Sequence, residues 1–419
     1  MYKKDIGKKV EYDVIVIGGG ASGLMAAGTS AISKKKVLLL EGNKEVGSKL
    51  KITGGGRSNI TNAEYDNRVL LKNYGDGEKF LYSSFSNFGV KETFNFFEKR
   101  GLPLKIEPGK RAFPKTERAE DVLKVLEKYL KEGGVEIKTN SPVSEILTEE
   151  KKITGVTCGD KTYTAKSYIL STGGTSHPET GSTGDGFKWL KKLGHSVKPP
   201  TPTVVPLSVK DSWVKSLSGI SIDSMKITFY VDGVKKFSKV GKILFTHFGI
   251  SGPLILNCAG KVSDLLHTGV VTAKIDIFPG IDEHELEQKI INIFDKNKNK
   301  MLKNCLDEIM PKGTTEAFLL MIKNLQPEIK VHSVTKENRK NIISTLKGSH
   351  MTITGLMGLD RAVVTDGGVV LSEIDMKTMK SKIINNLSVT GDLLHINRKS
   401  GGFSLQICWT TGYIAGVNA

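Results

Sequence analysis

The sequence predicts an α/β fold with a parallel sheet near its amino terminus, and three features between residues 13 and 41 predict it. Val14, Ile15, Val16 and Ile17 form a continuous β-branched run, the pattern of a strand buried on both faces. Glycines then fall at positions 18, 20 and 23, in the spacing G-x-G-x-x-G. An alanine-rich amphipathic stretch, a second apolar run and an acid complete the segment. Each part meets a requirement of dinucleotide binding. Gly18 makes the tight turn, Gly20 lets the backbone approach a pyrophosphate, and Gly23 lets helix and strand pack closely. A helix from Ala21 and Ser22 to about Ile32 offers its unpaired N–H groups and positive dipole end to that pyrophosphate. Val37 to Leu40 make the second strand. Glu41, followed by Gly42, stands 23 residues after Gly18, about where a ribose-binding carboxylate is expected. Its charge would repel a 2′-phosphate there. The unit is Rossmann-like.

The rest of the chain bounds the possibilities. At 419 residues it is too long for one compact core, so two or three domains are expected. The net charge of +17 comes from lysines scattered along the chain. A solvated lysine-rich surface accounts for most of it; the sharper alternative is attraction of a nicotinamide dinucleotide, an acidic substrate or RNA. No arginine-rich block or aromatic-basic motif supports RNA, so a nucleic-acid partner is not expected. Four cysteines lie far apart (158, 258, 305, 408), which indicates reduced thiols in a cytoplasmic protein, with no disulfide framework and no metal site. The first apolar run is too short for a signal-peptide core or a membrane span. The oligomeric state leaves no sequence signal.

Residues 1–195 read as the first part of the nucleotide domain. After Glu41 comes a loop dense in Gly, Ser, Thr and Asn; Tyr82 to Lys99 and Ala119 to Lys131 have helical spacing, and Val135 to Thr139 and Thr162 to Ser171 read as strands. From about His195 prolines cluster at 199, 200, 202 and 206, and β-rich runs follow at Ile222 to Val231, Lys242 to Thr246 and Val270 to Phe278, with a hairpin turn at Asp232-Gly233. Residues 196–281 are therefore expected to form a small barrel or sandwich. Residues 282–348 are helical in pattern and read as a separate small domain. Strands return beyond Ser349; residues 349–357 are assigned to the β-rich domain, with Thr365-Asp366-Gly367-Gly368 as a tight turn and the remainder to 419 completing the nucleotide domain.

Two further features favour FAD over NAD as the bound dinucleotide. One is the Ser171-Thr172-Gly173-Gly174 turn after a late strand. The other is Val389-Thr390-Gly391-Asp392 followed by a glycine-opened helix from Gly402. An acid after a strand can accept from ribitol hydroxyls, and a helix start at the flavin N1–C2=O edge stabilises the reduced anion.

These residues carry a resemblance that runs nearly end to end. Lys51-Ile52-Thr53-Gly54-Gly55-Gly56-Arg57-Ser58-Asn59-Ile60-Thr61-Asn62, Thr172-Gly173-Gly174 with Thr180-Gly181-Ser182-Thr183-Gly184-Asp185-Gly186, Phe245-Thr246-His247-Phe248-Gly249-Ile250-Ser251-Gly252-Pro253, and Gly401-Gly402-Phe403-Ser404-Leu405-Gln406 resemble motifs of the bacterial BaiN-like (YhiN-type) flavoproteins. That family includes aminoacetone oxidase and a reductase of dehydro bile acids. The resemblance implies a glutathione-reductase-like FAD domain made from both chain ends, with inserted β-barrel and small helical domains, and non-covalent FAD. The FAD-contacting set expected is Gly18, Gly20, Ala21, Ser22, Gly23, Glu41, Gly42, Lys49, Gly56, Arg57, Ser58, Asn59, Val143, Thr172, Gly173, Gly174, Gly391, Asp392, Gly402, Phe403, Ser404 and Leu405. The chain departs from the family pattern at Ser58, where many members carry Cys, at Asp392, where Glu is common, and at His395, where Asp is common.

No Cys-x₄-Cys pair follows the first βαβ unit, which argues against a disulfide reductase. No second G-x-G-x-x-G appears, so NAD(P)H as electron donor would dock directly against the flavin and leave before the substrate enters. The leading expectation is an FAD-dependent oxidoreductase that reduces an activated C=C bond of a small organic substrate with NAD(P)H. A flavin oxidase of an amine or alcohol, a tRNA-modification flavoprotein and an electron-transfer or regulatory flavoprotein stand as alternatives. His247, Arg57 and His177 are candidate catalytic groups. His247, between a strand and a Gly-rich turn, could donate a proton after hydride transfer, while a structural histidine is an equal reading.

Overall fold

The computed structural model describes residues 11–322, 325–358 and 364–419. The described residues up to Pro202, together with those from Val364 onward, form one compact unit, and those from Thr203 to Gly358 belong to a second.

The first unit is built on a five-stranded parallel sheet. Its strands are β1 (Tyr12–Ile17), β2 (Val37–Leu40), β3 (Glu136–Lys138), β4 (Ala165–Leu170) and β5 (Leu387–Val389), in the spatial order β5-β4-β1-β2-β3. All of β2 and nearly all of β1 are buried, as expected for strands covered on both faces. Register aligns the strand ends. Ile17 pairs with Leu40 on one side and with Leu170 on the other, and Leu170 pairs with Val389. The strands therefore end in one row. The segments that leave them, at Gly18, Glu41, Ser171 and Thr390, all emerge along the same edge of the sheet, where open α/β sheets bind ligands.

Three helices support that edge. They are α1 (Ala21–Ile32), α3 (Ala119–Gly133) and α4 (Phe403–Asn418), and a short α2 (Ser48–Ile52) lies in the loop after β2. Helix α4 is buried almost all round, which suits a helix enclosed by the core rather than one with a wet face. It packs on α1 at close range because its glycines allow it. A Cβ on Gly412 would collide with the Ser22 carbonyl, and one on Gly416 would lie 2.6 Å from the Ala26 carbonyl oxygen.

Three segments differ from the sequence reading. The helical stretch 82–99 is two helices, Glu78–Asn87 and Val90–Glu98, parted at Phe88-Gly89. The strand expected over 162–171 is split at Thr164 into Lys161–Tyr163 and β4. Thr365 to Gly368 is no turn; it lies inside the strand Val364–Val369, beside Val197–Thr203. Its glycines serve close approach instead. A Cβ on Gly367 would meet the Pro199 carbonyl at 2.6 Å, and one on Gly368 the Leu393 carbonyl at 2.5 Å. The proline-rich Val197–Thr203 thus pairs with a strand of the first unit.

The second unit contains a closed six-stranded antiparallel barrel of Leu207–Val209, Gly249–Ser251, Val234–Thr246, Ser221–Val231, Val271–Asp276 and Ser349–Leu356, in that spatial order. The hairpin at Asp232-Gly233 forms, with both residues at positive φ. Helices Glu283–Lys296, Leu302–Leu306, Thr315–Leu319 and Lys336–Gly348 fill most of the segment read as a separate helical domain. Their apolar faces (Leu286, Ile290, Phe318, Ile342) share one continuous core with barrel residues such as Phe229, Ile275 and Met351, so the two segments fold as one unit.

Candidate functional site

The site grows from the row of strand ends. Gly18 has φ +101°, and a Cβ there would lie 2.7 Å from the Ser171 carbonyl oxygen; a Cβ on Gly23 would collide with the Gly18 carbonyl. Both glycines are demanded by the fold itself. Gly20 is different. Its backbone is extended (φ −80°, ψ −173°), a conformation open to any residue, and a Cβ on it would meet nothing within 4 Å. The space in front of Gly20 lies at the start of α1, where free N–H groups and the helix dipole favour an anion.

Glu41, buried at the end of β2, accepts from the backbone N–H of Gly19 at 2.7 Å and of Asn43 at 2.8 Å. Those two bonds fix the carboxylate and leave acceptor capacity for ribose hydroxyls. Gly42 and the half-buried Val143 border this end of the loop; a Cβ on Gly42 would lie 3.6 Å from Pro142.

The second motif follows α2. Gly54, Gly55, Gly56 and Ser58 all have left-handed φ, and Ser58 is fully buried. The Asn59 carboxamide donates to the carbonyls of Thr61 and Ala112 and accepts from the Gly402 N–H at 3.0 Å. The loop is thereby tied to the glycine that opens α4. Arg57 turns elsewhere. It forms ion pairs with Glu107 and Glu117 and lies over the Phe113 ring at 4.3 Å, and the Glu107 bond holds its pKa above the ordinary value.

The third motif carries unmet polar capacity. The Thr172 hydroxyl oxygen is buried with no hydrogen-bond partner among the described residues, and buried polar groups of this kind call for an explanation. Gly173 is left-handed, and Gly174 abuts Thr365. The Thr365 hydroxyl oxygen accepts from the N–H groups of Thr175 and Ser176, each at 3.0 Å. The Ser176 hydroxyl in turn accepts from the Lys49 ammonium at 3.2 Å. Burial pulls the Lys49 pKa down, opposed by the charge of Asp392.

The last motif closes the site. Gly391 is left-handed, and a Cβ there would lie 2.8 Å from the Ser22 hydroxyl. Asp392 is ion-paired with the buried guanidinium of Arg398, which also donates to the Ser404 hydroxyl and the Ile396 carbonyl, each at 3.0 Å. Gly402 (φ +101°) caps α4 against the Thr61 backbone. Phe403 offers its carbonyl to the buried Tyr74 hydroxyl at 3.0 Å, and Leu405 is buried beside it. One turn on, Gln406 accepts from Thr61 at 2.6 Å and donates to Thr93 and Thr410. Burial pushes the Cys408 thiol up to about 12, so it is inert rather than redox-active. His395 stands 3.4 Å from the Asp366 carboxylate.

The structure thus brings the four glycine motifs of the first unit to one edge. Arg57 is committed to carboxylates beside it. His177, left-handed at φ 51°, pairs with Glu179 at 2.8 Å. His247 belongs to the second unit, exposed in the turn between Val234–Thr246 and Gly249–Ser251. Arg398, Ser176 and Thr365 were missed as site residues by sequence reasoning. Only Arg398 left a signal, as the single arginine between an acid and a glycine pair.

The donor set fits FAD. A cradle in front of Gly20, an orphaned Thr172 hydroxyl, a carboxylate held by backbone N–H groups and a glycine-opened helix are groups of the kind that a diphosphate, sugar hydroxyls and a flavin edge require. No cluster among the described residues could hold a metal, and no described helix is long and apolar enough to cross a membrane. Fold and site together define a Rossmann-type FAD-binding oxidoreductase.

The chain belongs to the family described as HI0933-like protein Rossmann domain, whose pattern matches residues 12–418. It is 28% identical over 404 residues to a 3-dehydro-bile acid delta(4,6)-reductase of Clostridium scindens, covering 96% of this chain and 97% of that protein. It is also 28% identical over 409 residues to a ribosomal RNA dihydrouridine synthase of Haemophilus influenzae, with the same coverage. Among solved structures, the 3-ketosteroid delta1-dehydrogenase of Sterolibacterium denitrificans superposes with a TM-score of 0.55 at 13% identity, over 97% of this chain and 98% of that one. That likeness is one of fold.

Proposed function

We propose that this FAD-dependent oxidoreductase reduces a carbon–carbon double bond conjugated to a carbonyl group in a small cyclic substrate, with NAD(P)H as the electron donor. One observation carries the reading. The relatives that match nearly end to end include one named for reduction of a delta(4,6)-unsaturated 3-dehydro bile acid. The absence of a second G-x-G-x-x-G from the sequence supports a donor that docks and departs at the flavin itself.

Bound FAD supplies two-electron transfer; overall, NAD(P)H and one proton become NAD(P)⁺ and two new C–H bonds. The residues around it bind and orient. Glu41 would hold the adenosine ribose, and the Gly20 loop with α1 would hold the diphosphate. Asp392, fixed by Arg398, would accept from hydroxyls of the ribityl chain. The N–H groups opening α4 at Gly402 to Leu405 would stabilise the negative charge that gathers on the flavin on reduction. A helix end contributes about 0.3–1 kcal/mol to such stabilisation, and about 2 kcal/mol in partly buried geometry.

Anaerobic stopped-flow measurement tests the reading. NADH or NADPH should bleach the flavin, and a 3-oxo-delta(4,6)-steroid or a simple cyclic enone should restore the colour faster than buffer does. Rapid reoxidation by O₂ alone, with hydrogen peroxide formed and no turnover of enones, would overturn it in favour of an oxidase. Reduction of uracil within RNA is the second reading, favoured by the net charge of +17 and by the dihydrouridine synthase relative. Under that reading rRNA fragments reoxidise the flavin where enones do not, and RNA affinity falls steeply with salt.

A further inference from the structure

We propose that His395, oriented by Asp366, is the general acid that protonates the substrate α-carbon in the reduction proposed above. The inference deepens that reading and rests on it.

Reduction of a conjugated double bond needs a proton as well as a hydride, and the groups that bind and orient the cofactor leave its source open. The first unit contains three imidazoles, those of His177, His195 and His395. His177 is tied to Glu179 at 2.8 Å. His195 is only 4% exposed, with Nε2 held 2.8 Å from the Ser381 hydroxyl, so no substrate reaches it. His395 is half-buried and belongs to the loop between Asp392 and Gly402, which joins β5 to α4. On one side of it in the chain is the carboxylate assigned to the ribityl hydroxyls, and on the other are the N–H groups assigned to the flavin.

Its surroundings are those of an oriented acid. The strand Val364–Val369 runs beside the loop, and the His395 N–H donates to the Val369 carbonyl at 3.0 Å. Asp366, on that strand, sets Oδ1 3.4 Å from His395 Nε2. The carboxylate is itself fixed. Its Oδ1 accepts from the Gly367 N–H at 3.0 Å, and its Oδ2 accepts from the Asn397 carboxamide at 3.2 Å. A held carboxylate at one ring nitrogen orients an imidazole and leaves the other nitrogen for proton transfer. Among the described residues none bonds to Nδ1. Side-chain exposures of 20% for His395 and 27% for Asp366 leave water a path by which the proton is replaced. Position 395 departs from the BaiN-like pattern, in which Asp is common, so the dyad belongs to this chain.

The step balances. Hydride reaches the β-carbon from NAD(P)H by way of the flavin and leaves an enolate. The Nδ1–H bond of protonated His395 breaks, and the enolate electron pair takes the proton into a new C–H bond at the α-carbon. Neutral imidazole remains with its Nε2–H toward Asp366, and solvent returns the proton.

The test uses the full-length FAD-loaded protein, reduced by NAD(P)H without oxygen and mixed with 2-methylcyclohex-2-enone, whose α-carbon becomes a stereocentre. His395→Ala should slow reoxidation about 10²- to 10⁴-fold, the usual worth of a general acid. The loss should fall on this half-reaction and not on reduction by NAD(P)H, which needs no acid. Added imidazole should restore reoxidation in His395→Ala in proportion to its concentration. In D₂O wild type should place deuterium on one face of the α-carbon, and His395→Ala on both. Asp366→Asn should slow the same step by a smaller factor and, in apo-protein labelled with 15N-histidine, shift the His395 Nε2 resonance. Thermal melting and FAD content check each variant, and His395→Gln, which keeps more of the side chain's bulk, repeats the measurement where His395→Ala loses FAD. Reoxidation of the His395 variants at the wild-type rate, no rescue by imidazole, deuterium still on one face, or a His395 resonance unmoved by Asp366→Asn would each overturn the inference. If NAD(P)H reduces wild type and no enone reoxidises it, the proposed reaction falls and takes this inference with it; if wild type turns over and the His395 variants match it, only the acid is refuted.

Discussion

Replacing Gly20 with Val separates what the cofactor needs from what the fold needs. The native backbone at Gly20 is extended, and an added Cβ meets no atom within 4 Å. The apo-protein should therefore accept valine at a cost within about 0.5 kcal/mol. The cradle is filled instead, and the diphosphate can no longer reach the N–H groups that open α1. Two lost charge-assisted hydrogen bonds, at about 1.5–3 kcal/mol each, amount to about 3–6 kcal/mol, or an affinity loss of about 10²- to 10⁴-fold. Gly23→Ala is the control. Its Cβ would collide with the Gly18 carbonyl, an overpacking worth about 1–3 kcal/mol of stability. Flavin fluorescence titration of the apo-proteins reads affinity, and thermal melting reads the fold. A Gly20→Val protein that binds FAD as wild type does, or that melts early as Gly23→Ala does, would refute the assignment of these two glycines to different tasks.

Arg398→Met strands the half-buried Asp392 carboxylate and should cost about 1–3 kcal/mol in urea denaturation; adding Asp392→Asn should recover part of it, which a double-mutant cycle measures. Thr365→Val removes the acceptor of two N–H groups in the Thr172–Ser176 loop. It should cost about 1–3 kcal/mol and speed FAD release, followed by dilution of the holo-protein. Cys408, its thiol pushed up to about 12 by burial, should resist a disulfide reagent at neutral pH until the protein is unfolded in guanidinium; mass mapping of the modified cysteines checks this.

What could be read from the sequence is what repeats locally. The β-branched runs, the glycine spacing and the amphipathic period specify β1, α1 and β2 almost to the residue, because strand and helix periods differ sharply and each glycine has a local task. The failures arose where a distant backbone decides. Thr365-Asp366-Gly367-Gly368 has the composition of a turn, yet those glycines admit the Pro199 and Leu393 carbonyls on either side of a strand. The shared row of Ile17, Leu40, Leu170 and Val389, which gathers the motifs at one edge, is a matter of register between segments up to 372 residues apart. No local pattern encodes it. Arg398 and Thr365 were missed for the same reason, since their partners come from the tertiary fold.

The distribution of cations shows why motif reading and site chemistry part company. Gly54-Gly55-Gly56-Arg57 invites assignment of its arginine to the diphosphate. A guanidinium, however, presents a rigid fork suited to carboxylates and stacks readily on aromatic faces, and here it finds Glu107, Glu117 and the Phe113 ring within its own neighbourhood. A lysine is a point charge on a flexible stem, able to reach into a loop and wait there with one hydroxyl for company. A cation already neutralised offers an anion little, whatever its position in a motif, whereas an under-compensated one gains the full interaction when the anion arrives. The affinity of this site for a dinucleotide should accordingly follow the open face of Gly20 more closely than it follows the arginine that the motif displays.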